Sequence, residues 1–126
     1  MCLLTALSIH GIGTQLPHAV WIGIDRKARK PSAPDLHLRV VRFSGPTLRY
    51  GIESREVLGV TVRVTSPART VVDCFRYRWK VGIDVALEAL ADVVRSRIAT
   101  MEEIMRAAEV CRARTVMRTY LEALMP

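Results

Sequence analysis

"VTVRVTSPARTVVDCF", residues 60–75, is where the chain changes its period. Up to Thr65 the run is rich in β-branched residues, and with "SREVLG" (54–59) in front of it and Gly59 between them it predicts a hairpin. After Thr65 the pattern becomes helical. Ser66 is a good N-cap, and Pro67 stands at the first helical position, where its missing N–H has no partner to lose. Ala68, Val71, Val72 and Phe75 then recur at helical spacing and predict the buried stripe. Arg69, Asp73, Arg76 and Lys80 fall on the opposite face. Asp73 has an Arg one turn before it and another one turn after it, so the spacing predicts structural ion pairing of Arg69 and Asp73. A cation in the first helical turn is disfavoured by the macrodipole unless it is paired, which assigns Arg69 to that role.

Working back from the hairpin, "LHLRVVRF" (36–43) reads as a central strand with Arg at its ends and "AVWIGI" (19–24) as a buried strand. Between them "DRKARKPSAP" is a basic, Pro-bounded loop. "LLTALSIHG" predicts a short helix stopped by Gly11, with Leu4, Leu7 and Ser8 on a narrow face and no N-cap before it.

Working forward, "DVALEALADVVRSR" predicts a helix that buries Ala86, Leu87, Leu90, Val93 and Val94. It carries Asp84, Glu88 and Asp92 as an acidic stripe, expected to pair with the basic stripe of the preceding helix. Thr100 and Glu103 form a capping box for "MEEIMRAAEVC". "VMRTYLEALM" closes the chain with Val116, Met117, Tyr120, Leu121 and Leu124 as its apolar set. Strands followed by helices predict an α+β domain: a small, mostly antiparallel sheet in the N-terminal half packed by three or four C-terminal helices. One domain accounts for residues 1–126.

Composition narrows the function. Half of the residues are hydrophobic and a quarter charged, as in an ordinary globular chain. No run approaches a membrane span of about 18 apolar residues, and "CLLTALSI" is too short and lacks the basic flank of a signal peptide, so a cytoplasmic protein without a membrane partner is expected. Cys2, Cys74 and Cys111 are an odd number without C-x-x-C spacing, which reads as buried small side chains, not as disulfides or a zinc site. No cofactor or metal is expected, and His10, His18 and His37 are unpaired in sequence. The net charge of +7 is local: residues 25–80 hold thirteen Lys or Arg against five acids, or +8, and residues 81–126 sum to −1. Sixteen of the nineteen basic residues are Arg, whose planar fork suits phosphate and carboxylate. Candidate contacts with nucleic acid or another anionic partner are therefore Arg26, Lys27, Arg29, Lys30, Arg42, Arg76, Arg78 and Lys80.

Catalytic patterns are missing from the sequence. It has no G-x-S-x-G, no H-E-x-x-H, no Gly-rich phosphate loop, no Asp-x-Asp pair and no acid followed by an acid-x-Lys triplet. The expectation is a protein that is not an enzyme.

Five segments, "LLTALSIHGIGTQLPHAVWIGI", "LRVVRFSG", "GVTVRVTSPARTVVDCFRYR", "VGIDVALEAL" and "VMRTYLEAL", taken together resemble the C-terminal domain of the AbiEi family of antitoxins. These are the antitoxin half of type IV toxin–antitoxin systems of bacteria, also described as predicted transcriptional regulators of viral defence. The resemblance implies an antitoxin module of an abortive-infection, phage-defence system that opposes a nucleotidyltransferase toxin. It also implies an N-terminal winged helix-turn-helix that binds the operon's promoter. No segment here is placed to be that winged helix, and the abrupt start of the first helix fits a domain without it. The alternative is a nucleic-acid-binding transcriptional regulator. A degenerate endonuclease-like domain stands behind it, because "TSPARTVVD" by itself also resembles small endonuclease-like families.

Overall fold

The hairpin and the helix that follows it organise the molecule. The computed structural model describes residues 1–14 and 16–124. Strands β3 (Ile52–Val57) and β4 (Val60–Thr65) pair antiparallel, with Val57 opposite Val60, which leaves Leu58 and Gly59 as a two-residue turn. Both turn residues have positive φ, 51° and 80°, the geometry that matches the twist of the flanking strands. Gly59 adopts it without a Cβ penalty, whereas Leu58 is held there at a fully exposed tip.

Helix α3 (Pro67–Arg76) starts as its sequence dictates: the Ser66 hydroxyl accepts from the Arg69 N–H at 3.2 Å, and Pro67 opens the first turn. Three further helices of similar length follow, α5 (Ile83–Arg95), α6 (Met101–Val110) and α7 (Arg114–Leu124), and a single turn, α4 (Arg78–Val81), links α3 to α5. The capping box of α6 is present, with Thr100 and Glu103 exchanging hydrogen bonds of 3.1 Å through side chain and backbone. The architecture is α+β.

α3 packs against α1 (Leu3–His10), α5, α6 and α7 at once. It is therefore the hub of the core, and every residue from Ala68 to Phe75 is buried. The amphipathic reading of this helix needs correction: Arg69 and Asp73 do not share a solvent-facing stripe with Lys80 but are 0 % exposed. An apolar stripe covers one side of a helix that neighbours surround, and the polar side must then satisfy itself internally.

The strands depart from a single, mostly antiparallel sheet. β1 (Val20–Asp25) pairs with β2 (Leu38–Phe43) in parallel, from Val20 opposite Leu38 to Asp25 opposite Phe43, as a two-stranded sheet separate from the hairpin. A parallel pair needs a connection of a dozen or so residues, and the Pro-containing loop of residues 26–37 supplies it without a helix. β2 is thus not a central strand. Its mixed faces have another reason: Val41 and Phe43 are buried, while the exposed Arg39 stacks on Trp21 with 4.9 Å between guanidinium carbon and ring centre. Met1 and Cys2 bridge the two sheets. The Cys2 N–H donates to the Trp21 carbonyl (3.0 Å), the Thr65 N–H donates to the Met1 carbonyl (3.1 Å), and the Met1 nitrogen donates to the Arg63 carbonyl (2.7 Å).

The buried faces of α1 and α5 lie a fraction of a turn from those expected, and that of α7 holds. In α1 the buried side chains are Leu3, Thr5, Ala6 and Leu7, with Leu4 half-buried and Ser8 exposed. In α5 Val85 and Ala89 join Ala86, Leu90 and Val93, while Leu87 is half-buried and Val94 is exposed. In α7 Met117 is buried and Val116, Tyr120 and Leu121 are half-buried, whereas the expected side chain of Leu124 lies outside the described residues. Each face turns toward α3, whose position sequence periodicity does not encode.

The acidic stripe of α5 corrects a second expectation, because it pairs with backbone and not with the basic stripe of α3. Asp92 Oδ2 accepts from the Gly13 N–H at 2.7 Å, and Glu88 Oε1 accepts from the Thr14 N–H and hydroxyl at 2.8 and 2.9 Å. Two carboxylates thereby hold the chain that leaves α1 against the middle of α5. The Gly13 N–H, opposed by partial desolvation and helped by Ser96, holds the Asp92 carboxyl below its ordinary pKa of 3.8. Since the folded pKa is the depressed one, this stabilisation is present above the unfolded value and is lost as pH falls through the folded one. Asp92→Asn is accordingly expected to lower the melting temperature near neutral pH and to flatten its decline at acid pH. Equal acid sensitivity of parent and variant in a melting series from pH 7 to pH 2 would contradict that role.

Candidate partner-binding surface

Two basic segments far apart in sequence are anchored on one residue, Phe43. The first is the loop after β1. Arg26 N–H donates to the Phe43 carbonyl at 2.9 Å, and the Lys27 N–H donates to Asp25 Oδ1 at 2.9 Å. From β2, Arg42 Nη1 donates to the carbonyls of Asp25 (3.4 Å), Arg26 (3.3 Å) and Ala28. Nη1 carries two N–H groups, so the three carbonyls share them, with that of Ala28 the nearest. Arg42 thus acts on the loop backbone, and the loop holds out Arg26, Lys27, Arg29 and Lys30 as four exposed cations. None of the four forms an ion pair among the described residues.

The second segment is the end of α3. The Phe43 ring lies 6.3 Å from the Tyr77 ring and 4.7 Å below the Arg69 guanidinium carbon. Arg69 Nε donates to Asp73 Oδ2 at 3.0 Å, and Arg69 Nη1 donates to the Tyr50 carbonyl at 2.6 Å. The second oxygen of Asp73 faces Arg76 Nη1 at 3.5 Å, and the Arg76 guanidinium also sits 5.2 Å from the Tyr77 ring. Burial pushes the Asp73 carboxyl above its ordinary pKa, and the charges of Arg69 and then Arg76 oppose that push. Arg69 and Asp73 are a buried brace between α3 and the strand layer, and Arg76, one-quarter exposed, closes it from outside.

α3 stops at Tyr77, and the chain turns through "YRWK". Tyr77 turns inward to Phe43. Arg78 Nη1 donates to the Phe75 carbonyl at 3.0 Å, which satisfies one of the helix's terminal carbonyls, and its guanidinium lies 5.2 Å from the Trp79 ring. Trp79 is 86 % exposed and Lys80 is exposed beside it. An exposed indole among cations is the residue that periodicity missed. Periodicity hid it, since Trp79 stands four residues after Phe75 and would continue the stripe of Ala68, Val71, Val72 and Phe75 had α3 not stopped at Tyr77.

The three thiols are inward, whereas His18 and His37 are exposed. Cys2, Cys74 and Cys111 are buried. Burial, then the nearby Asp73 carboxylate, pushes the Cys2 thiol up to about 12, and burial raises Cys74 and Cys111 as well, so all three remain protonated. The described residues contain no group of three or more His, Cys, Asp or Glu that could hold a metal ion. They include no helix long and apolar enough to cross a membrane.

No protein-family model matches the chain, and no curated protein matches it. The functional reading therefore proceeds from its residues and their placement.

Proposed function

We propose that the chain is a non-enzymatic antitoxin module of a type IV system, which counteracts a nucleotidyltransferase toxin through an anion-seeking surface. The observation that carries this reading is the exposed cationic loop, Arg26, Lys27, Arg29 and Lys30, with its backbone fixed by Arg42. A loop held in this way loses little freedom when it docks, so more of its charge complementarity appears as affinity. The segments that carry the AbiEi resemblance also lie on mutually packed elements, α1, β1, β2, β4, α3, α5 and α7. Co-expression with the nucleotidyltransferase toxin of the neighbouring gene tests the proposal. Growth should be rescued by this chain alone and lost when the four loop cations are replaced by Ser. Absence of rescue by the parent, or equal rescue by the loop variant, would reject it.

Trp79 beside Arg78 and Lys80 favours a second reading, a nucleic-acid-binding regulator, because bases stack on exposed aromatics flanked by cations. In that case binding to duplex or structured RNA is sequence-tolerant and weakens with salt by a log–log slope of about −0.7 to −0.9 per phosphate neutralised. Four loop contacts give a slope of about −3 to −4. The loop-to-Ser variant should flatten that slope with an unchanged circular dichroism spectrum, as the four side chains it replaces are exposed. A parent without salt-dependent binding, or a variant with the parent's slope, removes the nucleic-acid reading.

A further inference from the structure

A cleft of about 370 Å³ opens on the side of the strand layer where Met1 and Cys2 join the two sheets. Its size lies in the lower range of small-molecule sites, about 300–1,000 Å³. Gly23, Phe43, Leu48 and Ile52 give it an apolar floor, and Arg49 and Arg63 border it. The floor depends on Gly23: a Cβ there would stand 2.0 Å from the Phe43 ring, so only glycine lets the ring lie across β1.

Charge is distributed around this cleft in one sense. No Asp or Glu lines it. Arg49, at the end of the single-turn helix α2 (Pro46–Arg49), and Arg63, on β4, are both exposed, and neither guanidinium has an ion pair or hydrogen bond among the described residues. The pleat of the hairpin sorts the nearby acids. Arg63 pairs with Ser54 and shares a face with Ile52 and Thr65, whereas Glu53 pairs with Val64 on the other face and turns to Arg55 and His10. Glu56 is on the Arg63 face but opposite Thr61, nearer the hairpin tip, and does not line the cleft.

Two unpaired guanidiniums over an apolar floor have the composition of a site for an amphiphilic anion: the planar forks match a carboxylate or phosphate, and the floor takes an apolar ring. The geometry points to a binding site for a small molecule that carries an aromatic or similarly flat apolar body and one anionic head, held by Arg49 and Arg63 over Phe43, Leu48 and Ile52. This site is separate from the loop of residues 26–30 and stands whether or not the chain is an antitoxin.

Calorimetric titration of the full chain with benzoate and phenyl phosphate, compared with inorganic phosphate and phenol, tests it. At least one aromatic anion should bind about tenfold more tightly than either fragment, because head and body are recognised together. Arg49→Gln and Arg63→Gln should each weaken that binding about tenfold, the effect of losing one charge-assisted contact. Arg118→Gln, which removes the same charge from an exposed position of α7, should leave it unchanged. Both cleft variants alter exposed side chains and should keep the parent's urea midpoint, so a loss of binding is read at the site. The proposal is overturned if neither aromatic anion exceeds its fragments, if the cleft variants bind as the parent does, or if Arg118→Gln weakens binding equally.

Discussion

Asp73→Asn is expected to destabilise the domain by about 3–5 kcal/mol, the cost of breaking a buried ion pair from one side. Asp73 is fully buried and is the carboxylate that faces both Arg69 and Arg76. An amide of the same shape keeps the packing but removes the charge, leaving the Arg69 guanidinium, itself 0 % exposed, without a counter-ion. A domain with total stability of about 5–15 kcal/mol would lose a large fraction of it. Urea unfolding measures the loss directly. The complementary double variant Arg69→Met/Asp73→Leu isolates the cause, because replacing a buried pair by apolar groups of similar volume is often close to neutral. The double variant should therefore be more stable than Asp73→Asn alone. If it is less stable, the brace contributes through its own attraction and not by satisfying a buried charge; if Asp73→Asn costs under about 1 kcal/mol, the pair is not the closed brace described.

Phe75→Ala should cost a similar amount, about 3–5 kcal/mol, by a different route. Phe75 is the last buried aromatic of α3, 0 % exposed, and its ring lies 5.8 Å from Tyr120 of α7 at 49°. Truncation removes its apolar area from the core, leaves a cavity where α3 meets α7, and breaks an aromatic pair worth about 0.5–1.5 kcal/mol beyond that area. Phe75→Leu retains most of the volume and should cost about 1.5 kcal/mol or less. Thermal unfolding that ranks the two variants in the opposite order would show that shape at this contact matters less than the hub position of α3 implies.

These two substitutions mark how far the sequence could be read. Phe75 was legible because its signal is local and periodic, as were the Ser66–Pro67 start of α3, the Gly59 hairpin and the Thr100–Glu103 cap. Each depends on residues within four positions of one another. The burial of Arg69 and Asp73 was not legible, since it follows from α3 being covered on all sides, which is a property of chain path. The parallel pairing of β1 with β2 was hidden for the same reason: strand propensity does not state direction, and the direction is set by where the loop of residues 26–37 returns the chain. In the candidate surface, charge identified the loop cations, but not that Arg42 holds their backbone while Arg76 is drawn to Asp73. Glu88 and Asp92 show the limit most plainly. Their spacing predicts a charged stripe, and their partners turn out to be backbone N–H groups more than seventy positions earlier.

The bridge made by Met1 and Cys2 has a consequence for the order in which the molecule assembles. Met1 is bound to Arg63 and Thr65 across a separation of 62 residues or more, and Cys2 is bound to Trp21. Closing so long a loop has an entropic cost that must be met before the contact rewards it, so this seam belongs to the late part of the folding reaction. During synthesis Met1 and Cys2 emerge well before β4 exists. Cys2 can meet Trp21 early, but Met1 must remain without its β4 partners while about sixty more residues are added, at about 5–20 residues per second. Through that interval β4 is absent, and until Met1 reaches it its edge is open to strand pairing with another copy of the chain.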